Sequence, residues 1–162
     1  VALESANNQR DQKGLTNMSF TIYADGSSRG NPGASGWGVF VKNEVTGEEI
    51  ELFGGVARAT NQQMELTAAI EALKSLPAGQ RVVLHTDSQY VVKGINEWIA
   101  GWKKRGWVNA KKEPVANREL WEALDAQNAR HTVTFQWVRG HNGNAGNERA
   151  DKLANKGAAL YL

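Results

Sequence analysis

Arg81-Val82-Val83-Leu84-His85-Thr86-Asp87-Ser88 is the stretch on which the fold turns. Val82-Val83-Leu84 does not alternate with polar residues, which suits a strand covered on both faces. Ser88 caps a helix whose apolar residues are Val91, Val92, Ile95, Trp98 and Ile99. Upstream, Pro77 and Gly79 close another helix over Asn61–Leu76, with Met64, Ala68, Ala69, Ala72, Leu73 and Leu76 as its apolar stripe. A strand between two helices predicts a sheet with helical cover. Further upstream, Ser19–Asp25 alternates: Phe20, Ile22 and Ala24 take one face, Thr21, Tyr23 and Asp25 the other. A turn-rich stretch, Gly26–Gly33, leads to strands near Gly36–Asn43 and Glu48–Val56, an antiparallel meander around Thr46-Gly47. Downstream lie a basic, Trp-rich insertion (Gly101–Pro114), a helix (Asn117–Arg130), a strand (Thr132–Val138) and a last helix (Asn147–Ala159). The order βββαβααβα predicts an α/β fold: a five-stranded mixed sheet flanked by helices, with parallel neighbours where a helix intervenes.

Composition narrows the function classes. A length of 162 residues, 41% of them hydrophobic and 22% charged, suits one globular domain with a full core, here over residues 18–162. Val1–Asn17 has no periodicity and reads as a flexible extension or cloning remnant. With no cysteine, disulfides, zinc–thiolate sites and thiol nucleophiles are excluded, and a reducing cytoplasm fits. No apolar run reaches the length of a membrane span. The net charge of +2 does not by itself mark a nucleic-acid binder, so any such role rests on where the charge sits.

Four carboxylates stand out. Asp25 and Asp87 each end a strand and precede a turn or cap residue. If those strands are parallel, both acids lie at the carboxyl edge where open α/β sheets bind ligands. One such Asp is ordinarily a turn cap; two at matching ends shift the reading towards function. Glu65 falls on the inward stripe of its helix, where a carboxylate is costly unless paired or bound to a metal. Interaction with the helix dipole explains an acid in the first turns, but not its choice of the inner face. Asp151 adjoins the apolar side of the last helix, just after Asn147-Glu148-Arg149-Ala150. His141, in the glycine-rich loop Gly140–Gly143, is the candidate for proton transfer or product departure. Together the four acids would repel severely without cations. Two hard divalent ions, roughly 4 Å apart, resolve that repulsion and can clamp a phosphodiester during in-line displacement.

The insertion supplies a binding surface. From Lys93 to Arg118 there are seven Lys/Arg against two Glu, with Trp98, Trp102 and Trp107 interleaved with Lys103-Lys104-Arg105. Clustered cations beside Trp that fit no single apolar face suit nucleic acid, although at least one Trp is expected in the core.

These motifs resemble the bacterial type 1 ribonucleases H from about Met18 to Ala159. They are Tyr23-Ala24-Asp25-Gly26-Ser27 with Gly30-Asn31-Pro32-Gly33; Thr60-Asn61-Gln62-Gln63-Met64-Glu65-Leu66; Thr86-Asp87-Ser88-Gln89-Tyr90-Val91; Trp102-Lys103-Lys104-Arg105-Gly106-Trp107; and Gly140-His141 leading to Asn147-Glu148-Arg149-Ala150-Asp151. Each is weak alone, and their order and spacing together are specific. The resemblance implies a monomeric, metal-dependent endonuclease that cuts the RNA strand of RNA/DNA hybrids, leaving 5′-phosphate and 3′-hydroxyl ends. It assigns Asp25, Glu65, Asp87 and Asp151 to two Mg²⁺ ions, with Mn²⁺ as a substitute, and His141 to proton or product movement. It also implies RNA-strand contact at Gln89 and minor-groove contact at Asn31, Asn61 and Gln62, the last standing where Asn is usual. Arg58, Thr60 and Asn117 match a pocket for a DNA-strand phosphate, and Trp98, Trp102, Lys103, Lys104 and Arg105 match a basic protrusion that grips the DNA strand. The rival reading is a non-catalytic hybrid-binding module; the presence of all four carboxylates and the loop His counts against it.

Overall fold

The computed structural model describes residues 19–140 and 143–162. The extension expected over Val1–Asn17 lies outside the described residues, as does His141. Strands β1 (Ser19–Arg29), β2 (Gly33–Asn43) and β3 (Glu49–Ala59) form the meander. Helix α1 (Asn61–Lys74), strand β4 (Arg81–Thr86) and helix α2 (Gln89–Lys93) follow. A π turn, Gly94–Trp98, joins α2 to α3 (Ile99–Lys104), and α4 (Arg118–Arg130), β5 (Thr132–Trp137) and α5 (Ala145–Ala159) complete the chain. The sheet order is β3-β2-β1-β4-β5, with β1 antiparallel to β2 and parallel to β4, and β4 parallel to β5. No helix among the described residues is long and apolar enough to cross a membrane.

The sheet separates two packing layers. Ile22, Ala24, Val39, Val41, Val82 and Leu84 are buried in the main core with Leu66, Ala69 and Leu73 of α1. The whole expected stripe of α1 is buried, together with Leu66 and Ile70 outside it. Helix α1 packs on the sheet and also against α4, so it needs apolar surface on more than one face.

Two boundaries differ from expectation. Strand β1 does not end at Asp25; it runs to Arg29 because β2 begins early, at Gly33, and pairs with it as far as Arg29↔Ala34. Gly26 is therefore a packing glycine and not a turn: a Cβ there would stand 2.6 Å from the Glu65 amide nitrogen. The helix after Ser88 is also interrupted. The π turn brings Gly94 so close to the fully buried Trp121 that a Cβ would sit 1.9 Å from the indole. The fully buried tryptophan is Trp121 of α4 and not one of the insertion, where Trp98, Trp102 and Trp107 are each half-buried; its Nε1 donates to the Tyr90 hydroxyl at 3.1 Å.

Away from the site, His131 joins three elements. Its Nδ1 accepts from the Gln80 amide at 3.2 Å, so Nε2 carries the proton donated to the Leu73 carbonyl at 3.1 Å. Burial, assisted by the neighbouring Arg130, holds the imidazole below its ordinary pKa of 6.5. The unfolded chain therefore takes up a proton first as pH falls, and this part of the stability is lost on acidification from 6.5 towards the folded value. His131→Ala is expected to be less stable than the parent at pH 7.5, by a margin that shrinks towards pH 5. Urea titrations at both pH values check this, and a margin independent of pH would refute it.

Candidate active site

The parallel register of β1 and β4 runs to Tyr23↔His85, so two residues further on Asp25 and Asp87 stand level just beyond the end of that pairing. Asp25 is almost wholly buried, at 3% exposure. Glu65 reaches the same point from α1, its Oε1 accepting the Gly26 amide at 2.9 Å. The bare backbone of Gly26 lets α1 approach that closely. Asp87 follows β4, and its carbonyl accepts the Trp137 indole N–H at 3.1 Å. Gly140 passes beside its carboxylate, where a Cβ would lie 2.8 Å from Oδ2.

One carboxylate oxygen from each of Asp25, Glu65 and Asp87 lies within 4.8 Å of the others. Asp151, on α5, stands outside that triple but near enough to Asp25 to help raise its carboxyl. Its own carbonyl accepts Asn155 Nδ2 at 3.0 Å, while Asn155 Oδ1 accepts the Ser27 hydroxyl at 2.8 Å. The expected four acids thus come from β1, α1, the end of β4 and α5.

Their electrostatics show what the cluster lacks. Burial, then the charges of Glu65 and Asp87 and the hydrogen bond with Asp151, push the Asp25 carboxyl from 3.8 up to about 11. Burial and Asp87 raise Glu65 well above its ordinary value, against the opposing Gly26 hydrogen bond. Such a group stays charged only beside a cation. The donors are all carboxylate oxygens, which suits a hard divalent ion and not a soft one.

The other expected site residues lie on neighbouring elements. Asn31 Oδ1 accepts the Asn61 amide at 3.0 Å, docking the β1–β2 hairpin tip on the start of α1, with Asn61 and Gln62 exposed beside it. Gln89 is exposed at the start of α2, two residues beyond Asp87. Arg58 is exposed at the end of β3. Thr60 caps α1: its hydroxyl accepts the Gln63 amide, and the Gln63 side chain accepts the Thr60 amide. Asn117 sits in the left-handed region (φ 59°) before α4, and its amide side chain meets Gln63 at 3.3 Å and the Tyr90 hydroxyl at 3.1 Å. A hollow of about 480 Å³ there is lined by Gln63, Asn117, Arg118, Glu119 and Leu120. Gln63 and Arg118 line this hollow without being among the expected site residues, although Thr60-x-x-Gln63 is a legible capping box.

The protrusion departs from expectation in one respect. Lys103 and Arg105 have roles in the fold: Lys103 pairs with Asp125 of α4 at 2.9 Å, and Arg105 Nε donates to the Val108 carbonyl at 3.3 Å. Trp98 and Trp102 are half-buried and pack on each other, at 5.8 Å between rings, and Trp102 also meets Trp121 at 5.3 Å. Beside them runs a groove of about 420 Å³, lined by Glu97, Trp98, Gly101, Trp102, Arg105 and Ala110. Lys104, Lys111 and Lys112 are exposed.

Comparison with known proteins agrees with this geometry. The family model described as RNase H matches residues 17–159. A ribonuclease H of Janthinobacterium sp. (strain Marseille) is 61% identical over 140 residues, covering 86% of this chain and 95% of its own. Among solved structures, LC9-RNase H1, a type 1 RNase H with the type 2 active-site motif, superimposes with a TM-score of 0.79 at 32% identity, over 90% of this chain and 74% of that one. The fold is also shared, at 24% identity and a TM-score of 0.68, with LC11-RNase H1 solved in complex with an RNA/DNA hybrid, over 87% and 97% of the two chains. With the fold, the carboxylate cluster and these matches in agreement, the chain belongs to the ribonuclease H family.

Proposed function

We propose that this chain hydrolyses the RNA strand of RNA/DNA hybrids, leaving 5′-phosphate and 3′-hydroxyl ends, with Asp25, Glu65, Asp87 and Asp151 holding two Mg²⁺ ions, replaceable by Mn²⁺. The observation that carries this reading is the meeting of three carboxylates within 4.8 Å, with Asp25 held far above its ordinary pKa. When bound, such ions polarise a phosphoryl oxygen and lower the pKa of water.

The chain's own groups do the rest. Asp25, flanked by Glu65 and Asp87, would be the ligand shared between the two cations. Glu65 is held by the Gly26 amide through one oxygen, which leaves the other free to point into the cluster. Asn31, Asn61 and Gln62 on one side, and Gln89 on the other, present side-chain amides that can read base edges and 2′-hydroxyls. The Thr60 hydroxyl spends an acceptor site on its cap and keeps its proton to donate to a DNA phosphate. Asn117 is engaged at both ends of its amide, so its share in that pocket is to place the amide groups that open α4, with Arg58 adding charge. His141 is assigned proton transfer or product departure. The enzyme acts as a monomer in the cytoplasm.

A labelled hybrid incubated with Mg²⁺ or with EDTA tests the reading. RNA-strand cleavage in Mg²⁺ only, with duplex DNA intact, is expected. Tight hybrid binding without cleavage would establish the binding-module alternative.

The protrusion contributes affinity and not chemistry. Because Lys103 and Arg105 also support the fold, the informative variant changes Lys104, Lys111 and Lys112 together to Gln. The slope of log affinity against log salt is expected to fall by about 1–2, within the limit set by three phosphate contacts. KM rises severalfold and kcat changes little. An unchanged slope in fluorescence-anisotropy titrations would exclude phosphate contact there.

A further inference from the structure

Helix α5 carries Asp151 to the carboxylate cluster, yet it lies on the sheet with few side chains in between. A Cβ at Gly38 would be 2.3 Å from the Ala150 carbonyl, at Gly36 2.2 Å from that of Ala154, and at Gly55 2.1 Å from that of Gly157. Backbone rests on backbone, so few interlocking side chains resist a roll of the helix about its axis.

On the β3 side of the helix, Arg149 opposes that roll. Its guanidinium lies over the Phe40 ring of β2 at 3.8 Å. The same group donates to Glu51 at 2.8 Å and to Glu49 at 3.2 Å, both on β3. Phe40 continues a stacked row across the sheet to Tyr23 (6.4 Å between rings) and on to His85 (4.4 Å). The first turn of α5 rests on this row, since a Cβ at Gly146 would be 2.4 Å from the Tyr23 ring. Arg149 and Asp151 are two residues apart, so they leave the helix on roughly opposite sides. A hold on one side therefore sets the angle of the other.

We propose that Arg149, gripped by Phe40, Glu49 and Glu51, is a positioning residue that fixes the roll of α5 and so holds Asp151 at the divalent-cation site. The inference rests on the metal-site reading above and goes beyond it by making cation affinity depend on a side chain that touches no cation. An exposed ion pair contributes little to stability in general. Here a planar guanidinium is held by two carboxylates and a ring face, which gives direction as well as attraction.

The test measures Mg²⁺ binding to the whole chain by titration calorimetry, with melting temperature recorded in EDTA. Arg149→Ala is expected to weaken Mg²⁺ binding roughly tenfold, the low end for outer partners of metal ligands. Its kcat on hybrid recovers at saturating Mg²⁺ and its KM for hybrid is unchanged. Arg149→Lys keeps the charge but not the planar grip and falls between. Glu49→Gln with Glu51→Gln weakens Mg²⁺ binding in the same direction and leaves the surface of the cluster untouched. A lower melting temperature with unchanged Mg²⁺ affinity in these variants overturns the proposal and makes Arg149 a stability residue only. Parent protein that binds no Mg²⁺ would instead overturn the metal-site reading beneath it.

Discussion

Asp25→Asn is expected to lower hybrid cleavage by about a thousandfold or more, the scale on which one preorganised electrostatic group acts, while leaving hybrid affinity within severalfold of the parent. The swap preserves shape and removes the charge nearest the centre of the cluster. The same variant is expected to be more stable than the parent in EDTA, and the sign follows from the proton balance. Asp25 ordinarily titrates at 3.8, but in the folded protein it holds its proton to about 11. Between those values the unfolded chain gives up a proton that the folded chain keeps, so stability falls as pH rises. That difference is a cost to folding, and the neighbouring carboxylates share it. Asparagine has no proton to release, so the cost disappears. Melting curves in EDTA from pH 5 to pH 9 should show the variant ahead by several degrees, most clearly at high pH. Mg²⁺ should narrow the gap by stabilising only the parent. Equal melting temperatures throughout would mean that the carboxylates are too well solvated to need a cation.

The sequence carried this cluster further than it carried the strands that hold it. Glu65 was legible because an acid on an apolar stripe breaks a periodic pattern, and the structure places it where that violation leads, on the amide of Gly26. Asp25 was found for a partly mistaken reason. Gly26-Ser27-Ser28 has the composition of a turn, but an antiparallel neighbour and the pressure of α1 against Gly26 keep it in β1. Local propensity gave way there to tertiary packing. Trp121 shows the same limit: its burial depends on a π turn that brings Gly94 to its ring, and helical periodicity does not encode that distant pairing. Lys103 looked purely functional because its partner, Asp125, is 22 residues away on another helix. A charge run shows that cations are present, but not which of them the fold has already paired.

A hybrid with a continuous RNA strand is expected to be cut at least about a hundredfold faster than duplex DNA carrying one ribonucleotide, the product of two lost hydrogen-bonding partners at roughly tenfold each. The 2′-hydroxyl distinguishes RNA from DNA at any one position. The groups able to read it are not gathered at the scissile phosphate. Asn31 is fixed to the first turn of α1 beside Asn61 and Gln62, while Gln89 opens α2 just beyond Asp87. The carboxylate cluster lies between these two sets, because Glu65 is one turn along α1 and Asp87 immediately precedes the cap of α2. One ribose offers a single 2′-hydroxyl, which cannot meet amides on both sides of the cluster. Readers on opposite sides must therefore sample successive riboses, and an isolated ribonucleotide satisfies only part of the set while leaving the other amides against deoxyribose. A patch of four ribonucleotides should restore most of the rate. Gln89→Ala should cost the all-RNA hybrid more than the single-ribonucleotide duplex, since the latter has less of that contact to lose. A gel assay on the three substrates in Mg²⁺ measures all of this, and efficient cleavage at a lone ribonucleotide junction would show that one ribose, read at the cluster itself, is sufficient.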